Sequence, residues 1–125
     1  MTSQSFKDII AWQKAHEFVL EVYTTCKYFP EYERFGLCSQ FQRAAVSIAA
    51  NIADGYRKLS KPDKLRFLNI SQGSLEECRY YILLAHDLNY IDTTEYNKLN
   101  EKIEKTSWLL NAYSKGIIDN NGIKD

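Results

Sequence analysis

Gln40-Phe41-Gln42-Arg43-Ala44-Ala45-Val46-Ser47-Ile48-Ala49-Ala50-Asn51-Ile52-Ala53-Asp54-Gly55-Tyr56 is the stretch that decides the fold. Leu37, Phe41, Ala44, Ile48 and Ile52 recur at three- and four-residue steps, the spacing of one helical face. Ala45, Val46, Ala49 and Ala53 lie beside that stripe. Small side chains let a second helix approach closely, so residues 37–57 read as a tightly packed helix in the middle of a bundle. Gly55 suits its end or a local bend.

The flanking segments repeat the pattern. Trp12, Ala15, Val19, Val22, Cys26 and Phe29 predict a helix over about 9–28, stopped by Pro30, which lacks the amide a helix interior needs. Ser60-Lys61-Pro62-Asp63 supplies a capping hydroxyl, a proline in the first turn and an early carboxylate, so a third helix starts at 61 and runs to about 88. One of its faces reads Leu68, Ser71, Leu75, Cys78, Ile82 and Ala85; a second reads Phe67, Ile70, Ser74, Tyr81, Leu84 and Leu88. Two apolar faces exceed what a small core needs, and the surplus predicts a protein interface. A fourth helix, capped by Asp92 or Thr93, spans about 93–117 with Tyr96, Leu99, Ile103, Thr106, Leu110, Tyr113 and Ile117 in a heptad. Trp108 lies off that stripe as a second interface residue, Gly116 marks the end, and Ile118 to Asp125 read as a frayed tail. No strand alternation occurs. Short connections make successive helices antiparallel, so the expected fold is all-α: one domain over 1–125, an up-down-up-down four-helix bundle.

Composition narrows the functional classes. The chain has 125 residues, 45% hydrophobic and 26% charged, as in ordinary globular domains. No apolar run approaches a membrane span, and the amino terminus lacks the basic and apolar regions of a signal peptide, so a cytoplasmic location is expected. The formal net charge is zero, which argues against indiscriminate nucleic-acid binding. Yet residues 56–66 carry a local balance of +4 and residues 67–97 one of −4. Cys26, Cys38 and Cys78 form no Cys-x-x-Cys pair, and His16 and His86 have no ligand partner at metal spacing, so all five read as structural and no metal is expected.

Four segments then resemble the family named for 23S rRNA intervening sequences: Ala11-Trp12-Gln13-Lys14-Ala15, Phe29-Pro30-Glu31-Tyr32-Glu33, Gln40 through Gly55, and Gly73-Ser74-Leu75-Glu76-Glu77. The resemblance covers about residues 6–117, and the long central motif is its specific part. It implies a bacterial, left-handed four-helix bundle assembled as a homopentameric ring, with no enzymatic activity and no cofactor. The chain is also similar to accessory proteins of diversity-generating retroelements, pentameric barrels associated with RNA and reverse transcriptase. Two positions depart from the family pattern. Asp54 stands where glutamate is common, and Ala49 where proline often occurs, which leaves the second helix straighter. The RNA-associated relatives are distinctly basic, whereas this chain is neutral.

Two groups of residues are candidate sites. Arg43, Ser47, Asn51 and Asp54 share one side of the second helix. They read either as a pocket for an anion or nucleotide edge, or as a structural polar network. In the network, the favoured reading, Arg43 pairs with Glu76 or Glu77 and Asn51 fixes register. Arg57, Lys58, Lys61 and Lys64, followed by Arg66, are the candidate phosphate contacts, with Tyr56 placed to stack on an unpaired base. On a fivefold ring the local charge would repeat around one end. Catalysis is not expected. Glu76 and Glu77 are adjacent and point apart, the paired-carboxylate and Glu-x-x-His pattern of di-iron bundles is missing, and no glycine-rich phosphate loop occurs. Two functions follow: a non-enzymatic accessory protein that binds RNA or DNA, or a structural adaptor whose ring binds a protein partner and no nucleic acid.

Overall fold

Ser60 accepts a hydrogen bond from the Asp63 amide at 3.2 Å, and Asp92 accepts one from Glu95 at 2.8 Å. These two side chains satisfy first-turn amides that a helix leaves unpaired. They open the third and fourth of four helices in the computed structural model, which describes residues 5–119. The helices are α1 (Ile10–Cys26), α2 (Leu37–Arg57), α3 (Lys61–Asp87) and α4 (Thr93–Asp119). Single 3-10 turns occupy Phe6–Asp8 and Glu31–Glu33, and there is no strand among the described residues. Packing runs α1 on α2, α2 on α3, α3 on α4 and α4 on α1, so the helices close around one core as a bundle.

The core is built from Phe18, Phe41, Ile48, Ile52, Leu68, Leu75, Ile82, Leu99, Ile103 and Leu110, all fully buried. Each contributes roughly 1.5–3 kcal/mol relative to exposure. The face of α3 from Leu68 to Ala85 is buried as its spacing predicts. The second face divides: Ser74 is buried, Phe67, Tyr81 and Leu84 are half-buried, and Ile70 and Leu88 are exposed. In α4 the predicted stripe supplies Leu99, Ile103, Thr106 and Leu110 to the core, and Trp108 stands 71% exposed.

Several local expectations change. α1 ends at Cys26, before Pro30 can act, because the amides of Lys27, Tyr28 and Phe29 fold back on carbonyls of the last turn. Phe18 and Ala11 join its buried face, whereas Trp12 and Val19 are only half-buried. Gly116 lies inside α4, which continues to Asp119; residues 120–125 of the expected tail lie outside the described residues. Gly55 lies in the last turn of α2, which ends two residues later at Arg57. A Cβ there would meet the Lys64 carbonyl oxygen at 3.3 Å and Phe67 Cβ at 3.4 Å, so the glycine admits the first turn of α3. Sequence pairs across the two helices run in opposite order: Gln40 with Tyr81, Ser47 with Ser74, Ile48 with Ser71, and Tyr56 with Lys64.

Candidate nucleic-acid interface

α2 ends at Arg57, and three residues later the Ser60 cap starts α3. That tight reversal gathers Arg57, Lys58, Lys61, Lys64 and Arg66 at one end of the bundle. Their roles differ once the backbone is in place. Lys64 Nζ donates to the Tyr56 carbonyl oxygen at 2.8 Å and to that of Gly55 at 3.4 Å. Carbonyls in a last helical turn lack intrahelical partners, so this ammonium caps the negative end of α2. Partial burial lowers its pKa. Lys61 Nζ donates to the Ile118 carbonyl oxygen at 3.1 Å, tying the end of α4 to the start of α3. Lys61 and Lys64, both predicted as phosphate contacts, therefore already hold backbone oxygens.

Arg57 is exposed and makes no hydrogen bond or ion pair among the described residues. Lys58 Nζ lies 4.8 Å from the centre of the Phe67 ring, and the Arg66 guanidinium carbon lies 4.7 Å from it. The ring orients both cations by its electron-rich face. Arg66 also pairs with Asp63 at 3.6 Å. The Tyr56 ring packs half-buried against the core with Lys64 Nζ 5.7 Å from its centre, so it is not presented as a free stacking platform. Phe67 reads from the sequence only as an apolar interface residue; its place two turns beyond the Ser60 cap is the signal that it lies near this cluster. Leu59, 99% exposed, stands between the two groups of cations.

The polar side of α2 resolves into a smaller group than the sequence suggests. Ser74 Oγ donates to Ser47 Oγ at 2.7 Å, Asn51 Nδ2 donates to the same hydroxyl at 3.0 Å, and Ser71 Oγ donates to the Ile48 carbonyl oxygen at 2.8 Å. This ladder joins α2 to α3. Arg43 and Asp54 are exposed, and Arg43 reaches neither Glu76 nor Glu77. Glu76 instead pairs with Arg79 at 3.2 Å, and Arg79 also pairs with Glu104 of α4. Glu77 is exposed. The helix backbones lie close enough there for serine side chains to bridge them, and the Arg43 guanidinium stays at the surface.

Elsewhere the titratable groups serve packing. His16 stacks on Trp12 and His86 on Tyr96. Glu33 accepts from the Leu37 amide at 3.0 Å, capping α2, and from Tyr90 Oη at 2.7 Å. Its carboxyl is held below the usual range chiefly by the Leu37 amide, and the Tyr90 phenol is held above its usual range by Tyr32 and Glu33. Among the described residues no three His, Cys, Asp or Glu side chains are grouped to hold a metal ion. None of the described helices is long and apolar enough to cross a membrane.

These features define an all-helical bundle of four helices with a serine-bridged central seam and a cationic turn at one end. The chain belongs to the family of 23S rRNA-intervening sequence proteins, whose profile matches residues 7–112. It is similar to a crystal structure from Bacteroides thetaiotaomicron, a protein of unknown function from the S23 ribosomal protein family. The two share 26% identity at a TM-score of 0.78, covering 84% of this chain and 98% of the other. No curated protein matches the chain.

Proposed function

We propose that this chain is a non-enzymatic accessory protein that binds RNA or DNA phosphates through the α2–α3 turn. The observation that carries the reading is Arg57, exposed and unpaired among the described residues, beside Lys58, whose ammonium is oriented by Phe67. Lysine and arginine neutralise backbone phosphates without reading base identity. With the Tyr56 ring packed inward, the contacts expected are to phosphate rather than to unpaired bases. The family's name, with its reference to an rRNA insertion, agrees with a nucleic-acid partner.

The reading includes a single cytoplasmic domain with antiparallel up-down-up-down helices, assembled as a homopentamer. Opposite-order pairing of α2 with α3 supports the antiparallel course. Exposed Ile70, Tyr80 and Leu83 on α3, Leu88 just beyond its end and Trp108 on α4 support self-association. A ring would repeat the cationic turn around one end and add its fields. The test is fluorescence anisotropy with structured RNA, single-stranded RNA and duplex DNA across a salt series, with light scattering in parallel. Binding that weakens steeply with salt supports the interface; no binding at low salt removes it. A monomer at micromolar concentration refutes the assembly.

A second reading, a protein-binding adaptor without nucleic-acid affinity, is favoured by the opposite end of the bundle. There Tyr28, Tyr32 and Phe35 are 80%, 78% and 87% exposed. Exposed aromatics of this kind anchor protein interfaces. A pull-down insensitive to salt, with no anisotropy change on any nucleic acid, would select this reading.

A further inference from the structure

Between the last turn of α1 and the first turn of α2 lies a groove of about 550 Å³, walled by Tyr23, Lys27, Arg34, Phe35 and Gln42. Its lining also includes Cys26 and Cys38, both free thiols. Cys38 Sγ donates to the Cys26 carbonyl oxygen at 3.6 Å, so the Cys38 thiol is turned toward the end of α1 that carries Cys26. The two cysteines come from different helices joined by a short connection, so the fold itself holds them together. Both are 6–7% exposed, and the groove is their route to solvent. Cys78 differs: it is fully buried in the core and does not line the groove.

We propose that Cys26 and Cys38 form a reversible dithiol–disulfide site, oxidised by exchange with a low-molecular-weight disulfide that enters the groove. Cys38 is the entry thiol. It lies in the first turn of α2, where the helix dipole favours a thiolate and the Glu33 carboxylate that caps the turn opposes it. Burial pushes both thiols up, Cys26 the more strongly. Lys27 at the rim complements a carboxylate of an anionic disulfide such as oxidised glutathione, while Arg34 there pairs with Glu31 at 3.7 Å.

In the first step Cys38 loses its proton and attacks one reagent sulfur. The reagent S–S bond breaks, one reagent thiolate leaves and takes up a proton, and a mixed disulfide forms on Cys38. Cys26 then loses its proton and attacks Cys38 Sγ, expelling the second reagent thiolate, which is protonated in turn. The protein pair gives up two electrons and two protons, and one reagent disulfide becomes two thiols. The new bond ties the end of α1 to the start of α2, and excess reductant reverses it.

The test exposes the folded full chain to oxidised glutathione, quenches with acid, alkylates in denaturant and maps peptides by mass spectrometry. The expected product is a single Cys26–Cys38 cross-linked peptide, an intact mass lower by about 2 Da before alkylation, and alkylation only at Cys78. Cys26→Ser should accumulate the glutathione adduct on Cys38, and Cys38→Ser should lose the cross-link. If either serine variant is unfolded by circular dichroism, Cys78→Ala serves instead, since it keeps the pair and must still give that cross-link. Three alkylated cysteines after exposure would overturn the proposal. So would cross-links through Cys78, or oxidation that occurs only in denaturant.

Discussion

Replacing Arg57 and Lys58 by glutamine and, separately, Lys64 by glutamine should produce opposite phenotypes, although all three lie within eight residues. Arg57 and Lys58 touch no backbone carbonyl, so the double variant should keep the wild-type melting temperature within about 1 °C. Its nucleic-acid binding should change in a calculable way. Each phosphate contact adds about 0.9 to the slope of log affinity against log salt on duplex DNA. Losing two contacts per bound protomer lowers that slope by about 1.8. Between 50 and 200 mM salt, the attenuation of binding then shrinks by about 12-fold per protomer engaged. Lys64→Gln removes the ammonium from the Gly55 and Tyr56 carbonyls. A charge-assisted bond contributes about 1.5–3 kcal/mol when well sheltered. The partial burial that lowers the Lys64 pKa also sets a desolvation cost against it, and the group keeps some solvent. The net loss should be about 1 kcal/mol, or about 4 °C in melting temperature for a domain of this size. The salt slope should stay at the wild-type value. Anisotropy titrations at four salt concentrations, with thermal melts of each variant, measure both quantities. If Lys64→Gln lowers the slope as much as the double variant and leaves the melt unchanged, the division of labour among these cations is wrong.

Three further perturbations test the packing. Ala45 is fully buried in the core, so Ala45→Leu should overpack it and cost about 1–3 kcal/mol or more, read by urea denaturation. Phe18→Ala should cost about 3–5 kcal/mol by the same assay, because its ring fills the core and packs edge-on to Phe41 at 6.3 Å. Glu95 carries the pH signature: burial first, then the neighbouring Glu21 carboxyl, raises its pKa above the ordinary carboxylate value. A carboxyl raised in the folded state binds more protons there than when unfolded. Its contribution is present below about pH 4.5 and lost as pH rises through the folded value. Glu95→Gln should therefore raise the melting temperature at pH 7, with the gain vanishing below about pH 4; an equal gain at both pH values would contradict the assignment.

The helices were legible because each carries local start or stop chemistry and a sustained apolar stripe. Ser60 and Asp92 cap as their side chains predict, and Leu99 to Leu110 face inward at the heptad steps. What the sequence does not show is the conformation of the connections and the close approach of a neighbouring helix. The end of α1 depends on backbone bonds from Lys27 to Phe29 rather than on Pro30. The start of α2 depends on Glu33, four residues upstream of the amide it accepts from. Gly36 belongs to that cap, since a Cβ there would lie 2.8 Å from Glu33 Oε1. Gly55 reads as a helix end, and spacing alone cannot show that another backbone also passes there at van der Waals distance.

The same limit governs the two candidate sites. A run of cations is visible in sequence, but whether each one is available for a ligand depends on which carbonyls the fold leaves unpaired nearby. Lys64 and Lys61 lie within reach of the ends of α2 and α4 and are drawn to them, which leaves Arg57 and Lys58 facing outward. Arg43 shows the converse. Its helical spacing with Ser47 and Asn51 suggests a shared network, yet the bonds that join this side of α2 to α3 are made by Ser47, Asn51 and Ser74 without it. The guanidinium is left at the surface, and Arg79 takes the carboxylate expected for it. Which charged groups remain free for a partner is thus decided by the contacts the folded helices make, and not by spacing along the chain.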